Sequence, residues 1–529
     1  MNTNRRDFLK HAATLGTLAA FGGCASRQSG YRLGGASGAP MADFALKPMD
    51  EVRFGFIGLN RGSAGVKPFC LLPGTRVTAI CDIDPAPIAR TLKTIADCGA
   101  PKPKVYTGSE EAWKAMGDDP DIDFIIIGTP WLLHTPMAVY LMEHGKHVGV
   151  EVPAATTIEE CWQLVETSER TRRICMQLEN RCYNEIELMM ANAIAQGAIG
   201  EVVYAECGYI HEIRELQIPR PEGDGRFVPW EGSGLRRPNG TLVNGLNWRG
   251  VYNKAHGGNA YPTHGIGPIA QILGVNRGDR FDYLVSVDSL SASPRQRAKE
   301  VYGTDSEEYR GAEFAMGDRN VSLIRTMKGR LVALSHNVVT PRPGNRLSLV
   351  EGTCGAFTVR EGELAQMACD PKRGYWAKDN FRYSVNTMPL HHGTAWSSEE
   401  EGSRFAKLHE HPLWRDAKDL AKRMGGHGGQ DFMMFLRMGY CLTHGLPVDQ
   451  DVYDLAAWSS IVELSERSSA DRGRSMDFPD FTRGAWKTRA YRSVETVSPE
   501  YLAKMQARAA RGDKTGKFDG GVHDRFMHN

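Results

Sequence analysis

Between Glu51 and residue 180, short apolar runs alternate with segments of helical periodicity. The runs that fit strands cover residues 52–58, 76–81, 124–128, 147–152 and 174–178. A chain in which strands and helices alternate in this way forms a parallel sheet, because each helix carries the chain back to start the next strand in the same direction. We therefore predict a Rossmann-type domain over residues 49–181.

The pattern changes in the second half of the chain. Strand-like runs return at 283–290, 312–316, 321–327, 331–338 and 347–351, and this spacing predicts a mostly antiparallel sheet. A chain of 529 residues is also too long for a single core. The predicted fold is thus α/β, a Rossmann domain followed by an α+β domain for substrate and oligomer contacts over 182–481. A polar tail over 482–529 is expected to wrap the surface or to be partly loose.

The N-terminus has the features of a targeting segment. Arg5 and Arg6 are followed by Phe8-Leu9-Lys10 and an apolar stretch over 12–21, which is too short to span a bilayer. This pattern predicts a twin-arginine export signal over residues 1–24 and a periplasmic protein, with an ordinary secretory signal as the alternative. Cys24 follows Phe21-Gly22-Gly23 as in a lipoprotein cleavage site, so the membrane is expected as a partner only if Cys24 is acylated. Residues 25–48 are predicted to be a flexible linker.

The charge balance bears on the class of partner. Lys and Arg number 64 and Asp and Glu number 63, so no overall positive field exists to attract nucleic acid. The 11 cysteines form no CxxC pair, and the histidines follow no zinc-binding spacing, so no metal site is predicted. A small-molecule substrate is the expected partner.

The first predicted strand ends in a turn that suits a dinucleotide. Gly58 and Gly62 flank Asn60, which stands where a second glycine of the usual motif would lie, so a plain strand-to-helix turn is the competing interpretation. Asp82 ends the second strand, where a carboxylate accepts hydrogen bonds from the adenosine ribose. That carboxylate would repel a ribose phosphate, so the cofactor is predicted to be NAD and not NADP. A helix cap is the other role open to Asp82.

Several longer stretches resemble a known family. They are Gly128-Thr129-Pro130-Trp131-Leu132-Leu133-His134, Glu151-Val152-Pro153, Leu178-Glu179-Asn180-Arg181-Cys182-Tyr183, Tyr261-Pro262-Thr263-His264-Gly265 and Gly426-His427-Gly428-Gly429-Gln430-Asp431. With these stretches the chain resembles the oxidoreductase family of glucose-fructose oxidoreductase and inositol dehydrogenase. Within that family it is most similar to glycoside hydrolase family 109, of the α-N-acetylgalactosaminidase type.

The resemblance implies a set of site residues. Those expected to line NAD are Asn60, Arg61, Asp82, Trp131, Leu132, Leu133, His134, Glu151, Val152 and Asn180. Those expected at the sugar are Tyr183, Tyr209, Arg249, Tyr261, Pro262, Thr263 and His264. It also implies a cycle in which NAD oxidises carbon 3 of the sugar, the aglycone leaves from carbon 1 by elimination, water adds, and the hydride returns.

Two departures from the wider family matter for the chemistry. Other members carry lysine where this chain has Val152, so another base is needed, and His264 is the predicted candidate because imidazole titrates near neutrality. Tyr183 is expected near the carbon 2 proton, with the assignment between it and His264 open and Tyr261 as a further acid-base candidate. Gly344 replaces a tyrosine that is expected at the sugar, which leaves the glycoside specificity open.

The predicted function is an NAD-dependent glycosidase that acts on terminal α-N-acetylgalactosaminides or related glycosides, in a homo-oligomer. An exported NAD-dependent sugar dehydrogenase is the main alternative, and a sugar-binding protein without turnover is a third. A conventional glycosidase would instead use two carboxylates that flank the bond.

Overall fold

The computed structural model describes residues 38–220, 245–342, 344–360, 380–385 and 396–512. The predicted export signal over 1–24, with Cys24, and most of the predicted linker lie outside these residues. Residues 221–244 also lie outside the described ranges. No helix in the described ranges is both long and apolar enough to cross a membrane.

The first part of the chain forms a six-stranded sheet in which every strand pair is parallel. Its strands are β1 (Val52–Ile57), β2 (Thr75–Cys81), β3 (Lys104–Tyr106), β4 (Phe124–Ile127), β5 (His147–Val150) and β6 (Cys175–Gln177), in the order β3-β2-β1-β4-β5-β6. The helices are α1 (Val66–Leu71), α2 (Pro85–Asp97), α3 (His134–Glu143) and α4 (Ile158–Thr171). This topology confirms the predicted Rossmann-type fold.

Local sequence explains why these elements form. The central strands β4 and β5 are buried along their whole length, as expected when helices cover both faces of a parallel sheet. Asp84 caps α2 by accepting from the backbone N–H of Ala86. Thr157 and Glu160 form a capping box at the start of α4. Between β3 and β4, Ala112–Met116 form a 3-10 helix.

A second sheet of eight strands follows. It contains β7 (Val202–Ile210), β8 (Phe281–Asp288), β9 (Asn320–Thr326), β10 (Leu331–Asn337), β11 (Leu349–Gly352), β12 (Gly355–Arg360), β13 (Asn380–Val385) and β14 (Met476–Asp477). The order is β13-β12-β11-β7-β10-β9-β8-β14, and only β7 and β10 pair in parallel. The prediction of an α/β fold with a mostly antiparallel second sheet is confirmed, although residues 312–316 do not form the predicted strand.

The remaining helices pack on the two sheets. They are α5 (Glu185–Ala195), α6 (Trp248–Ala255), α7 (Thr263–Leu273), α8 (Ser293–Tyr302), α9 (Glu307–Arg310), α10 (Glu399–Leu408), α11 (Pro412–Met424), α12 (Gln430–His444), α13 (Val452–Ser459), α14 (Ile461–Ala470) and α15 (Pro499–Gly512). Helix α7 lies so close to β7 that a Cβ on Gly265 would stand 2.7 Å from the backbone nitrogen of Gly208. This contact fixes the N-terminal end of α7 beside the end of β7.

Helix α12 returns to the first sheet and joins the two parts of the chain. The ring of Phe435 packs edge-on against Phe69 of α1, with ring centroids 5.3 Å apart. The C-terminal segment also packs there, since Tyr501 donates to the carbonyl oxygen of Pro73. Val494, Val497, Leu502 and Met505 are buried beside it. The segment predicted as a polar tail therefore carries an apolar face that covers the first domain.

Candidate active site

The backbone turns tightly where β1 ends. Gly58 has φ +81°, and a Cβ there would stand 2.6 Å from the carbonyl oxygen of Gly128, which follows β4. A Cβ on Gly128 would in turn lie 2.6 Å from the Cα of Gly62. Three glycines thus let the ends of β1 and β4 meet with no side chain between them, which is the arrangement that exposes backbone N–H groups to a pyrophosphate.

Asp82 lies at the end of β2, next to this turn. One of its carboxylate oxygens accepts from the backbone N–H of Leu59 at 2.7 Å, and the other accepts from the N–H of Asp84. Burial raises the pKa of Asp82 and these backbone hydrogen bonds oppose the rise. Asn60, exposed at the turn, accepts from Arg90 at 3.1 Å. The structure thus brings Asn60 and Asp82 together at the predicted dinucleotide edge.

A network of charges lies beside the turn. Arg61 Nε is 3.1 Å from Glu151, which follows β5, and Arg61 Nη1 donates to Asp431 of α12 at 2.8 Å. Asn180 Nδ2 and His427 Nδ1 also lie 2.5 and 2.9 Å from the Asp431 carboxylate. Burial alone would raise the pKa of Asp431, but Arg61 and His427 together outweigh it and hold that pKa well below its usual range. The buried Asp431 therefore joins two predicted cofactor residues, Arg61 and Asn180, and Arg61 in turn pairs with a third, Glu151.

The segment 131–134 supports the same edge of the sheet. His134 lies between two carbonyl oxygens, 2.8 Å from Pro153 and 2.7 Å from Thr129, and burial lowers its pKa to about 4. Trp131 donates from its indole nitrogen to the carbonyl oxygen of Val152. Leu133 is half-buried and Leu132 is exposed. Both ring nitrogens of His134 are thus within hydrogen-bond distance of backbone carbonyl oxygens, so this side chain holds the backbone of the segment in place.

These residues fit an adenine dinucleotide. The glycine turn leaves room for phosphates, Asp82 stands at the ribose position, and Asn180 Oδ1 is buried without a hydrogen-bond partner in the described part of the chain. A buried amide oxygen without a partner costs free energy unless a ligand supplies the donor.

His264 has the geometry of a general base. It lies in the first turn of α7, with Nδ1 at 2.7 and 2.8 Å from the two carboxylate oxygens of Glu179. Burial would raise the pKa of Glu179, but the interactions with His264 and the hydrogen bond from the backbone N–H of Arg181 together lower it, so the carboxylate is ionised. Burial lowers the pKa of His264, and Glu179 opposes this shift. The imidazole is thus neutral at pH 7, and its Nδ1–H bond to Glu179 leaves Nε2 as the acceptor.

An aromatic wall surrounds this histidine. The ring centroid of Tyr209 is 5.2 Å from that of His264 and 4.7 Å from that of Tyr261. Trp131 continues the wall, with its ring centroid 5.7 Å from that of Tyr261. The Arg249 guanidinium lies 4.8 Å from the ring centroid of Trp131. Pro262 and Thr263 are buried at the start of α7. The structure therefore assembles the predicted sugar residues Tyr209, Arg249, Tyr261 and His264 against the cofactor residue Trp131.

Tyr183 is not part of this wall. Its side chain is 0% exposed and its hydroxyl donates to Asp449 at 3.2 Å. Asp449 is itself paired with Arg437, and burial raises the pKa of Tyr183 well above its usual value. The hydroxyl is therefore engaged in the core, and the geometry does not support the predicted role at the carbon 2 proton.

Four further residues belong to the site. Glu179 orients His264, Asp431 and His427 join the cofactor residues, and Arg346 lies 4.7 Å over the ring of Tyr209. Glu179, His427 and Asp431 stand within the stretches that carry the family resemblance, which was the available signal. No signal in the sequence pointed to Arg346, because its position beside Tyr209 follows from the pairing of Asn345 with Ile210 in the folded chain.

Family models match both halves of the chain. The model of the oxidoreductase family with an NAD-binding Rossmann fold matches residues 52–178, and NAD is accordingly the cofactor. The model of the glycosyl hydrolase 109 C-terminal domain matches residues 183–488. Levoglucosan dehydrogenase in complex with NADH and levoglucosan is similar in fold, with a TM-score of 0.55, 17% identity and coverage of 81% of this chain and 100% of that one.

Sequence identity to curated relatives is higher than the 17% found for that structure. A glycosyl hydrolase family 109 protein of Shewanella pealeana is 40% identical over 492 residues, covering 92% of this chain and 98% of that protein. One from Shewanella woodyi is 42% identical over 441 residues, covering 83% and 87%. With both halves matched and the site residues assembled, the chain belongs to glycosyl hydrolase family 109 and is an NAD-dependent enzyme of the glycoside hydrolase class.

Proposed function

We propose that this enzyme hydrolyses terminal α-N-acetylgalactosaminides or related glycosides by transient oxidation of the sugar. The observation that carries the proposal is the neutral His264, held by Glu179 and facing an aromatic wall at the edge of a dinucleotide-binding sheet. Val152 stands where a dehydrogenase of this fold would have lysine, so the imidazole is the base for the sugar hydroxyl.

NAD held at the edge formed by Arg61, Asp82 and Asn180 would supply a hydride acceptor for carbon 3 of the sugar and a hydride donor for the return step. In the first step, His264 Nε2 accepts the proton of the carbon 3 hydroxyl, while Glu179 holds the other ring nitrogen and stabilises the imidazolium. In the last step the same imidazolium returns that proton to the carbonyl oxygen. Glu179 thus supports the histidine in both directions.

Removal of the carbon 2 proton is assigned to Tyr209 in place of Tyr183. Tyr209 is half-buried, and its ring touches both His264 and Tyr261, whereas Tyr183 is enclosed in the core. Burial raises the pKa of Tyr209, and Arg346 and Arg249 oppose that rise. The net shift is upward, and the two guanidinium charges favour the phenolate form of Tyr209 that would take the acidified proton beside the ketone. Loss of that proton expels the aglycone from carbon 1, and water then adds to the unsaturated ketone.

The proposed location is the periplasm, reached through the twin-arginine signal at residues 1–24, with a lipid anchor if Cys24 is acylated. A cycle that returns its hydride needs no external pool of nicotinamide, which suits an enzyme outside the cytoplasm. Export in the folded state would also let the chain carry its NAD across the membrane.

The test follows aglycone release and nicotinamide absorbance together. A panel of chromogenic α- and β-linked hexosaminides and hexosides is incubated with the enzyme, with and without added NAD. Cleavage without accumulation of NADH supports the proposal. Accumulation of NADH in proportion to sugar consumed would instead identify a sugar dehydrogenase, and ligand binding without either signal would identify a sugar-binding protein.

A further inference from the structure

Arg346 is exceptional among the buried arginines of the described residues. Arg181, Arg277, Arg297, Arg437 and Arg489 are buried, and each forms a salt bridge with an Asp or Glu, at distances of 3.0, 2.7, 3.5, 2.9 and 2.7 Å. Arg346 is 7% exposed, and no carboxylate of the described residues pairs with it. Its Nε atom is also buried without a hydrogen-bond partner there. A guanidinium that is desolvated and lacks a counter-ion costs free energy in the free protein.

A second cation completes the arrangement. Arg249 lies over Trp131, Trp248 and Tyr261, and its Nε is likewise buried without a partner in the described ranges. One guanidinium, that of Arg346, therefore lies over Tyr209, and the other, that of Arg249, lies over the adjacent ring of Tyr261. Both act on Tyr209, because each of them lowers its pKa against the effect of burial. The sugar-facing wall thus carries two positive charges that the described part of the protein does not neutralise.

The space next to Arg346 is open. Gly344 has no side chain, and among the described residues a Cβ there would meet only the carbonyl oxygen of Ile210, at the ordinary contact distance of 3.5 Å. Asn345, between Gly344 and Arg346, pairs through its backbone with Ile210, the neighbour of Tyr209. A side chain at position 344, which glycine lacks, would therefore lie beside the aromatic wall.

We propose that the glycoside substrate carries an oxyanion substituent, a carboxylate or a sulfate ester, that binds Arg346 in the space beside Gly344. The planar guanidinium donates two parallel hydrogen bonds to such a group, and Arg249 adds a second positive charge along the wall. The inference rests on the proposed function for the identity of the bond that is broken. The binding site for the oxyanion rests instead on two structural features: Arg346 has no carboxylate partner among the described residues, and Gly344 has no side chain.

The first experiment measures binding alone. Calorimetry with the NAD-loaded enzyme compares N-acetylgalactosamine, its sulfate esters and galacturonic acid, so that the sulfate and carboxylate sources are tested separately. We expect at least one acidic sugar to bind about tenfold to a hundredfold more tightly than the neutral sugar, which is the usual effect of charge-assisted hydrogen bonds. Arg346→Met should remove this preference and Arg346→Lys should keep part of it, while the affinity for NAD stays unchanged in both. Equal affinity for acidic and neutral sugars in the wild-type enzyme would overturn the inference, whatever the enzyme cleaves.

The second experiment uses turnover. Acidic and neutral chromogenic hexosaminides are compared in the wild-type enzyme, Arg346→Met, Gly344→Tyr and the remote control Arg170→Met. Arg346→Met should lower kcat/KM for every substrate, because Tyr209 loses a neighbouring positive charge, and should lower it further for the acidic substrates. Gly344→Tyr should lower kcat/KM for the acidic substrates selectively. A uniform loss on all substrates with a displaced pH profile would show that Arg346 acts only on Tyr209, and would overturn the proposal. If no glycoside is cleaved at all, the proposed function fails and the binding result decides the oxyanion site.

Discussion

At the scale of single residues, the state of His264 depends on a carboxylate that lies 85 positions earlier in the chain. Glu179 is 0% exposed and accepts from the histidine with both oxygens. Burial alone favours a neutral imidazole, and the carboxylate decides which ring nitrogen carries the proton. The arrangement therefore fixes the tautomer that has Nε2 as an acceptor.

Replacing Glu179 by Gln should lower kcat by about 10²-fold to 10⁴-fold, because the amide can stabilise the wrong tautomer and no longer stabilises the imidazolium. The pH profile provides the check. Since burial lowers the pKa of His264, the active neutral form is present above that pKa and is lost as pH falls through it. The acid limb of kcat/KM should therefore lie below the ordinary imidazole pKa, and in Glu179→Gln it should move lower still. An acid limb above that value would contradict a neutral base.

The two tyrosines give a matched pair of substitutions. Tyr209→Phe should lower kcat by about 10²-fold to 10⁴-fold with little change in the free energy of unfolding. Tyr183→Phe should lower the free energy of unfolding by about 1 to 3 kcal/mol, because Asp449 loses a buried hydrogen bond, and should leave kcat per folded molecule unchanged. Chemical denaturation and steady-state kinetics measure both quantities. The opposite result would return the carbon 2 role to Tyr183.

At the scale of elements, the cofactor edge depends on how closely β1 and β4 approach and on the entry to α12. The segment 425–429 has positive φ at every position, from Gly425 at 71° to Gly429 at 102°, with His427 at 48°. A Cβ on Gly426 would stand 2.9 Å from the Cβ of Asp431. This compact loop places Asp431 at the start of α12, where it reaches Arg61 and Asn180.

Gly58→Ala should destabilise the protein by about 2 to 4 kcal/mol and weaken NAD binding, because it adds both left-handed backbone strain and a clash with Gly128. Gly99→Ala is the control. Gly99 has φ +66° but no atom within 4 Å of the added Cβ, so only the strain remains, about 1 kcal/mol, and NAD affinity is kept. Thermal unfolding and calorimetric titration with NAD give the two readouts. Equal effects of the two substitutions would mean that the glycine contact does not shape the cofactor site.

At the scale of the whole molecule, one face of the second sheet is apolar and exposed. Val287 of β8 pairs with Val321 of β9, and Leu323 follows on the same face because side chains alternate along a strand. Their exposed fractions are 58%, 38% and 44%. A contiguous apolar patch of this kind on a folded protein usually marks an interface. It is the surface that best suits the predicted homo-oligomer, and we propose it as the contact.

Leu323→Lys should therefore reduce the molecular mass in solution from that of an oligomer to that of one chain, because it buries a charge in the contact. Leu408→Lys, on α10 and 78% exposed, is the control and should leave the mass unchanged. Size-exclusion chromatography with light scattering measures the mass. A wild-type protein that is already monomeric would contradict the proposed contact.

The sequence by itself determined the parts of this protein that rest on local patterns. Alternating apolar runs and helical periods predicted the parallel sheet, and the position of Asp82 after β2 predicted the cofactor edge, because strand ends of a parallel sheet meet on one side. Recognisable stretches supplied Asn180 and His264, and the family resemblance that they carry implied Tyr209 and Arg249. The same stretches also suggested Tyr183, which the core encloses.

Only the tertiary structure decided which of these residues act together. Arg61 and Asp431 are 370 positions apart, and Arg346 reaches Tyr209 from a separate segment. An ion pair or a cation over a ring forms between elements that meet through packing, and no spacing along the chain encodes it. The ionisation of a buried group depends likewise on everything packed around it, so the neutral His264 and the unpaired Arg346 became visible only in the folded chain.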